Sequence, residues 1–268
     1  MESTQRTIDL GDGDSTILEQ WGTTGPAIVC VHGIASSRKS WVRTAEALAG
    51  SYRVFAYDQR GHGDSAGVAG PMTHERSVRD LLAVADAVDG GVFALIGHSW
   101  GGAIVLRGGR ELPGVRVIAI DPMIHQAPGA WASDFVDDLV PLFALPKNGR
   151  EAAIRAMFAG SPPVEIEAKV HAMANMSIDP IVALGAENGA DAGEWDLREI
   201  VRDYPRPLQL LLADPSDSVV LPDDVAFVRE HGGPNVTIEV FEGEGHTLHR
   251  TAFERFAAVT AEALRRTY

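Results

Sequence analysis

Short apolar runs alternate with longer stretches of mixed polarity over the first 120 residues. The apolar runs have the length and composition of buried strands, at 27–31, 52–57, 92–96 and 115–120. The stretches between them repeat apolar residues at helical spacing, at 40–48, 73–88 and 103–111. This alternation predicts a parallel sheet covered by helices on both faces. An earlier strand at 16–21, placed after the turn signal at 11–14, predicts an opening hairpin.

The alternation stops at about residue 123 and returns only after residue 204. Residues 123–204 contain several prolines and scattered aromatic and methionine residues, but few β-branched runs, which favours helices. Strands and helices then resume at 208–213, 223–230, 237–241 and 252–264. We therefore expect one α/β core formed by 1–122 and 205–268, with 123–204 inserted as a helical lid.

A Gly-x-Ser-x-Gly motif follows directly after the predicted strand at 92–96. Residues 97–102 read Gly-His-Ser-Trp-Gly-Gly, and a helical pattern comes next. This strand–turn–helix context lifts a serine hydroxyl above the sheet, and the glycines remove clashes that the sharp turn would otherwise cause. The positive end of the helix dipole would also favour an oxyanion there. The motif predicts Ser99 as a nucleophile.

A serine hydroxyl is a weak nucleophile until a base removes its proton. In chains with this serine turn the histidine base comes last in sequence. His246 follows the last predicted strand and precedes the last helix, so we predict it as the base. His249 is the alternative, one helical turn further on.

Four motifs together resemble the α/β-hydrolase family over all of the chain except 123–204. They are His32-Gly33, the segment 58–65 (Asp-Gln-Arg-Gly-His-Gly-Asp-Ser), the serine turn at 97–102, and Gly243-Glu244-Gly245-His246. The resemblance implies an α/β-hydrolase fold: a mostly parallel central sheet with helices on both faces and a helical lid after the sixth strand. It also implies an oxyanion hole formed by the backbone N–H groups of Ile34 and Trp100. The 58–65 loop is interpreted as structural, with Arg60 bonding to nearby backbone.

The acid of the implied catalytic triad has more than one candidate. Asp217 lies at the usual family position, but the family pattern G-x-x-D-x-x-x-P is lengthened here on both sides of the aspartate. Some relatives, including haloalkane dehalogenases, place the acid one strand earlier, which corresponds to Asp121. Asp121 is a charged residue that closes a very apolar strand, and orienting a histidine would explain it. Asp214 is a third candidate.

Composition limits the kinds of partner that the protein is expected to bind and its expected location in the cell. The net charge of −14 disfavours nucleic acid and anionic membrane surfaces as partners and weakly disfavours anionic substrates. The lone cysteine, Cys30, lies in an apolar run and implies no disulfide, and no signal or transmembrane pattern is evident. We therefore expect a cytoplasmic protein, while the oligomeric state cannot be predicted.

The inserted segment gives the only indication of substrate. Its large apolar residues could form its own core or cover Ser99: Trp131, Phe135, Phe143, Met157, Phe158, Met173, Met176 and Trp195. An apolar pocket would suit a small, mostly apolar ester or lactone. The alternatives are a C–C bond or amide hydrolase, a perhydrolase, and a ligand receptor built on the same fold. The ester chemistry needs no cofactor, and no metal-ligand spacing is present.

Overall fold

The structure, a computed structural model, describes residues 1–68, 70–126, 139–188 and 195–266. Its centre is an eight-stranded sheet with the order β1-β2-β4-β3-β5-β6-β9-β10. β1 pairs antiparallel with β2, β2 pairs antiparallel with β4, and all other neighbours are parallel. The mostly parallel sheet and the opening hairpin are thus confirmed. The strands of this sheet are β1 (Ser3–Asp9), β2 (Ser15–Trp21), β3 (Ala27–Val31), β4 (Arg53–Tyr57), β5 (Val92–His98), β6 (Arg116–Ile120), β9 (Leu208–Leu212) and β10 (Val236–Val240).

Helices cover both faces of the sheet. Successive residues of a strand point to opposite faces, so Val29 and Leu95 join one apolar cluster whereas Ile28 and Ile96 join another. The described helices are α1 (Val42–Leu48), α2 (His74–Asp86), α3 (Trp100–Glu111), α4 (Lys147–Met157), α5 (Pro163–Met173), α6 (Asp179–Asn188), α7 (Arg198–Arg202), α8 (Pro222–His231), α9 (Leu248–Thr251) and α10 (Phe253–Arg265). The five helices predicted individually, which are α1, α2, α3, α8 and α10, lie within a few residues of their predicted positions. The helix predicted at 103–111 begins earlier, at Trp100, directly after the candidate nucleophile.

The described residues between β6 and β9 are mainly helical and have an apolar cluster of their own. Helices α4, α5 and α6 contribute to this third cluster, which also includes Ala35 from the loop after β3. These helices therefore pack at the carboxyl edge of the sheet. The last part of the segment differs, because Leu197, Val201 and Tyr204 join the main sheet cluster. A short antiparallel ribbon, β7 (His125–Gln126) with β8 (Trp195–Asp196), connects the two ends.

Within the described residues, no helix is long and apolar enough to span a membrane.

Helix α3 packs unusually closely against the sheet at the point where it begins. A Cβ atom on Gly101 would lie 2.3 Å from the carbonyl oxygen of Val31 and 2.4 Å from that of His32. Both atoms belong to backbone at the end of β3, so neither can move away alone. The glycine is required because it lets the start of the helix reach the end of the strand.

Gly101→Ala is expected to lower the free energy of unfolding by about 2 kcal/mol or more, because overpacking against rigid backbone is costly. Gly149→Ala is the matched control, since a Cβ atom there meets nothing within 4 Å. In helix α4 that change should be neutral or stabilising by up to about 1 kcal/mol. Urea unfolding of the two variants measures the difference, and equal stabilities would refute this account of the packing.

Candidate active site

Ser99 lies in the sharp turn between β5 and α3. Its φ is +55° and its ψ is −120°, a conformation that non-glycine residues rarely adopt. The turn is held by hydrogen bonds from the Ser99 N–H to Ile120 O at 2.9 Å and from the Ala103 N–H to Ser99 O at 3.1 Å. Such local strain persists only where the surroundings fix it, and it is typical of functional sites. The side chain is thereby presented at the carboxyl edge of the sheet.

His246 forms a close hydrogen bond with Asp121. The Nδ1 atom of the imidazole lies 2.6 Å from Oδ2 of Asp121, which is fully buried. A carboxylate can only accept, so Nδ1 carries the proton and Nε2 is left as the basic atom. Asp121 also accepts from the Ala213 N–H at 3.0 Å, the Ser218 hydroxyl at 2.5 Å and the Val219 N–H at 3.0 Å. Its negative charge is therefore satisfied and fixed in position.

The other two acid candidates do not contact the imidazole ring. Asp217 is exposed, and its Oδ2 accepts from the backbone N–H of His246 at 3.2 Å. Asp214 accepts from the hydroxyl of Ser216 and from the backbone N–H groups of Gly243 and Ser216, and these bonds lower its pKa to about 2. The imidazole of His246 therefore pairs with Asp121, whereas Asp217 contacts only the backbone of His246. The extended 213–222 loop instead supplies donors to Asp121.

His249 is not placed as a base either. It is buried, with its ring 5.3 Å from that of Trp41 and 4.3 Å from that of His98. Burial, together with the positive charge of Arg250, holds its pKa well below the usual range, so it stays neutral near pH 7.

His98, the variable residue of the serine turn, supports the loop that carries the base. Its Nε2 donates a hydrogen bond to the backbone carbonyl of His246 at 2.9 Å, and the two rings lie 4.6 Å apart. Burial lowers the pKa of His98 well below its usual range. A neutral His98 avoids repulsion with His246 when the latter takes up a proton. The sequence reasoning missed this contact, since the motif leaves the position unspecified.

The loop after β3 lies directly against the serine turn. A Cβ atom on Gly33 would be 3.0 Å from the Cβ atom of Ser99, so the backbone of this loop approaches the nucleophile closely. His32 fixes the loop: its Nδ1 donates to Gly33 O at 2.7 Å and its Nε2 accepts from the Gln59 N–H at 3.0 Å. The loop thus brings Ile34 to the lining of the cavity that contains Ser99. Trp100, the other predicted oxyanion residue, is the first residue of α3.

The 58–65 loop is fixed by ion pairs. Arg60 pairs with Asp80 at 2.6 Å, Asp14 at 2.6 Å and Asp12 at 2.8 Å. Of these three carboxylates, that of Asp80 is buried, and the bonding of Arg60 to neighbouring backbone stays a prediction. None of these residues lines the cavity at Ser99, which agrees with a structural role for the loop.

Asp58, Asp64 and His171 come within 4.8 Å of one another and are the one group among the described residues that could hold a metal ion. Arg38 already occupies the space between them. Its guanidinium lies 2.8 Å from Asp64 Oδ2 and 2.9 Å from Nε2 of His171, and it pairs with Asp58. The arginine supplies the positive charge that the carboxylates require, so we assign no metal to this group.

A cavity of about 250 Å³ lies over Ser99. Its described lining is largely apolar, and it also includes Ser99, three histidines, Lys169 and Arg250. The lining residues are Ile34, Ala35, Ser36, His98, Ser99, Met123, Leu139, Phe158, Lys169, Met173, Ile181, Val219, His246, Thr247, His249 and Arg250. Ser99 Oγ forms no hydrogen bond to His246 in the part of the chain that the structure describes, although both side chains border the same space. Hydrogen bonds between a nucleophile and its base are often long or poorly aligned before substrate binds.

Comparison with known proteins agrees with this architecture. Residues 28–259 match the model of the "Alpha/beta hydrolase family". The chain belongs to the alpha/beta hydrolase family. It is 25% identical to the magnesium-chelatase 30 kDa subunit of Rhodobacter capsulatus over 272 residues, covering 95% of this chain and 92% of that protein.

Solved structures with this alpha/beta hydrolase fold include N-formylmaleamic acid deformylase from Pseudomonas putida S16. Its TM-score is 0.76 at 22% identity, covering 97% of this chain and 100% of that one. An esterase from Exiguobacterium antarcticum gives a TM-score of 0.74 at 20% identity, and the match covers 98% of this chain and 100% of the esterase chain. At these identities the likeness shows the fold alone.

The predicted apolar residues of the inserted segment of this alpha/beta hydrolase are divided between two roles. Phe143, Met173 and Met176 belong to the segment's own cluster, and Phe158 packs against it. Met173 and Phe158 also line the cavity, and Met157 is exposed. Trp131, Phe135 and the side chain of Trp195 lie outside what the structure describes.

Asp121→Asn is expected to slow covalent labelling of Ser99 by a fluorophosphonate by roughly 10³-fold or more, because the amide no longer holds His246 in the reactive tautomer. Asp217→Asn is the matched control and should change the labelling rate by less than about threefold, since an amide oxygen still accepts the backbone hydrogen bond. Labelling rates followed by mass spectrometry compare the two. A large loss in Asp217→Asn with normal labelling of Asp121→Asn would reverse the assignment.

Proposed function

We propose that this member of the alpha/beta hydrolase family is a serine hydrolase that cleaves a small carboxylic ester or lactone. The observation that carries the proposal is the pair of His246 with the fully buried Asp121, in the same cavity as Ser99. A hydrogen-bonded carboxylate and imidazole beside a serine in a strained turn form the arrangement that activates a hydroxyl.

In the proposed reaction, Nε2 of His246 removes the proton of Ser99 Oγ as this oxygen attacks the carbonyl carbon. The negative charge that develops on the carbonyl oxygen is stabilised by the backbone N–H groups of Ile34 and Trp100, aided by the start of α3. His246 then protonates the leaving alcohol, and the acyl group stays on Ser99. Water, activated by the same imidazole, releases the acid and restores the serine. Asp121 holds the ring and stabilises the imidazolium throughout.

The size and polarity of the cavity support a small substrate. Its volume of about 250 Å³ lies below the usual range of sites for drug-sized ligands. Phe158 and Met173 from the inserted segment provide apolar walls of the cavity that contains Ser99. We therefore assign residues 123–204 the role of a lid that selects the substrate. The cytoplasmic location stays a prediction.

The proposal predicts that the protein hydrolyses p-nitrophenyl esters, with an optimum among acyl chains from acetate to decanoate set by the cavity. Ser99→Ala should lower turnover by at least about 10⁴-fold, since the nucleophile is lost. Ser51→Ala is the matched control, because this serine lies in an exposed turn and does not line the cavity. The turnover of this variant should equal that of the wild type.

Release of p-nitrophenol measures these rates. Equal turnover in wild type and Ser99→Ala would overturn the assignment of the nucleophile. No turnover of any ester by folded protein would instead favour a hydrolase of amide or C–C bonds, a perhydrolase, or a ligand receptor. Tight binding of a small molecule without its conversion would identify the receptor.

A further inference from the structure

Lys169 lies where the catalytic cavity opens outward. It is on helix α5 and contributes to the cavity that contains Ser99. It also contributes to a wider outer cleft of about 780 Å³. Four residues border both spaces and therefore form the passage between them: Phe158, Lys169, Thr247 and Arg250. A substrate that reaches Ser99 by this passage must move past the lysine.

The charge of Lys169 has no counterion among the described residues. Glu165 precedes it by four positions on the same helix, which is the spacing of a helical ion pair. However, Glu165 is turned away: its Oε2 pairs with Nε of Arg250, and its Oε1 lies 3.5 Å from Arg43. Within the described chain, no hydrogen bond or ion pair reaches Nζ of Lys169, whose nearest ring contact is Phe158 at 5.2 Å.

The other charged groups that line the two spaces are both basic and acidic. Arg43, Arg255, Glu242, Glu244 and Glu254 line the outer cleft, and Glu165 and Arg250 lie beside the lysine. Glu165 on the same helix attracts the ammonium, and Arg250 from α9 repels it. His98 and His249 are neutral because burial keeps their pKa values well below the usual range. His246 is already paired with Asp121. Burial and the charge of Arg250 lower the pKa of Lys169 to about 7, as expected for a cation that lacks a partner.

We propose that Lys169 binds a carboxylate group of the substrate, so that the enzyme prefers esters that carry a free carboxylate. An ammonium ion at the border of an apolar cavity forms a strong, charge-assisted hydrogen bond with such a group. This inference rests on the proposed ester hydrolysis and names its substrate class. It also reverses the expectation from net charge that anionic substrates are disfavoured.

The charge of Lys169 acts on a bound carboxylate more strongly than the net charge of the protein does, because the lysine is close to it and most surface charges are distant. Surface charges are screened beyond about 8 Å at physiological ionic strength, whereas a partly buried lysine acts on its neighbour with little screening. The net charge of −14 therefore slows the approach of an anion, but it does not determine the affinity inside the passage.

The test compares mono-p-nitrophenyl adipate with its methyl ester, in which an uncharged ester group replaces the distal carboxylate. The measured quantity is the ratio of kcat/KM for the two esters, so any effect on Ser99 or His246 cancels. In the wild type at pH 6 the ratio should favour the acid. Lys169→Met, which keeps the length of the side chain, should reduce this ratio by about 10- to 100-fold. Lys147→Met, an exposed lysine that borders neither space, removes the same charge and should leave the ratio unchanged.

The pH dependence separates charge recognition from simple packing on Phe158. Only the ammonium form binds a carboxylate, so the wild-type preference should be present below pH 7 and fall as the pH rises through about 7 to 9. Lys169→Arg stays charged, and it should retain the preference across this range. A ratio that is the same in the wild type, Lys169→Met and Lys169→Arg at all pH values would overturn the proposal.

Binding without turnover keeps this inference separate from the proposed function. Octanoate is titrated into Ser99→Ala protein, with and without Lys169→Met, and binding is measured by calorimetry. Tighter binding that requires Lys169 supports the carboxylate site even if neither ester is cleaved, a result that would contradict only the ester activity. Hydrolysis of both esters with binding of octanoate that is indifferent to Lys169 would contradict only the carboxylate site.

Discussion

A fully buried carboxylate, that of Asp121, connects the parts of the site. It accepts hydrogen bonds from residue 213, from the loop at 218–219, and from the imidazole of His246. Removing one partner of a buried charge typically costs about 3–5 kcal/mol, so each donor is strongly constrained. The ends of β6 and β9 and the loop after β10 therefore cannot move independently. Fixing the carboxylate fixes the ring, and the ring then faces the cavity of Ser99.

This constraint also explains which part of the site the sequence could predict. The inner strands are apolar on both faces, so their order along the chain can be read from the sequence. Ser99 follows β5 directly, and His246 lies six residues after the end of β10. Asp121 and Asp217 both follow strands that end at the same edge, so position alone could not separate them. The choice depends on the path of the 213–222 loop. This loop turns Ser218 and Val219 toward Asp121 and leaves Asp217 exposed, and no pattern of apolar residues encodes such a path.

Lys169 escaped the sequence reasoning for a related reason. Its spacing from Glu165 is that of an ordinary surface ion pair, which would neutralise both residues. The pair is absent because Arg250 and Arg43, distant in sequence, take the glutamate. Long-range contacts of this kind depend on tertiary packing, whereas helical periodicity reports only which face of α5 is apolar.

The same helix is anchored on both sides of Lys169. Glu165 is tied to Arg250, four residues beyond the base, and His171 contacts Arg38 in the loop after β3. In the proposed reaction, chemistry and selectivity therefore depend on different parts of the fold, which these contacts join. The sheet edge provides the proposed nucleophile, base and acid, and the inserted helices provide the proposed passage. Under the proposed function, changes on α5 alter which ester reaches Ser99 and leave the proposed catalytic groups unchanged. Substitutions on α5 are thus the changes in this fold that we expect to alter substrate preference with the smallest effect on the geometry of Ser99, His246 and Asp121.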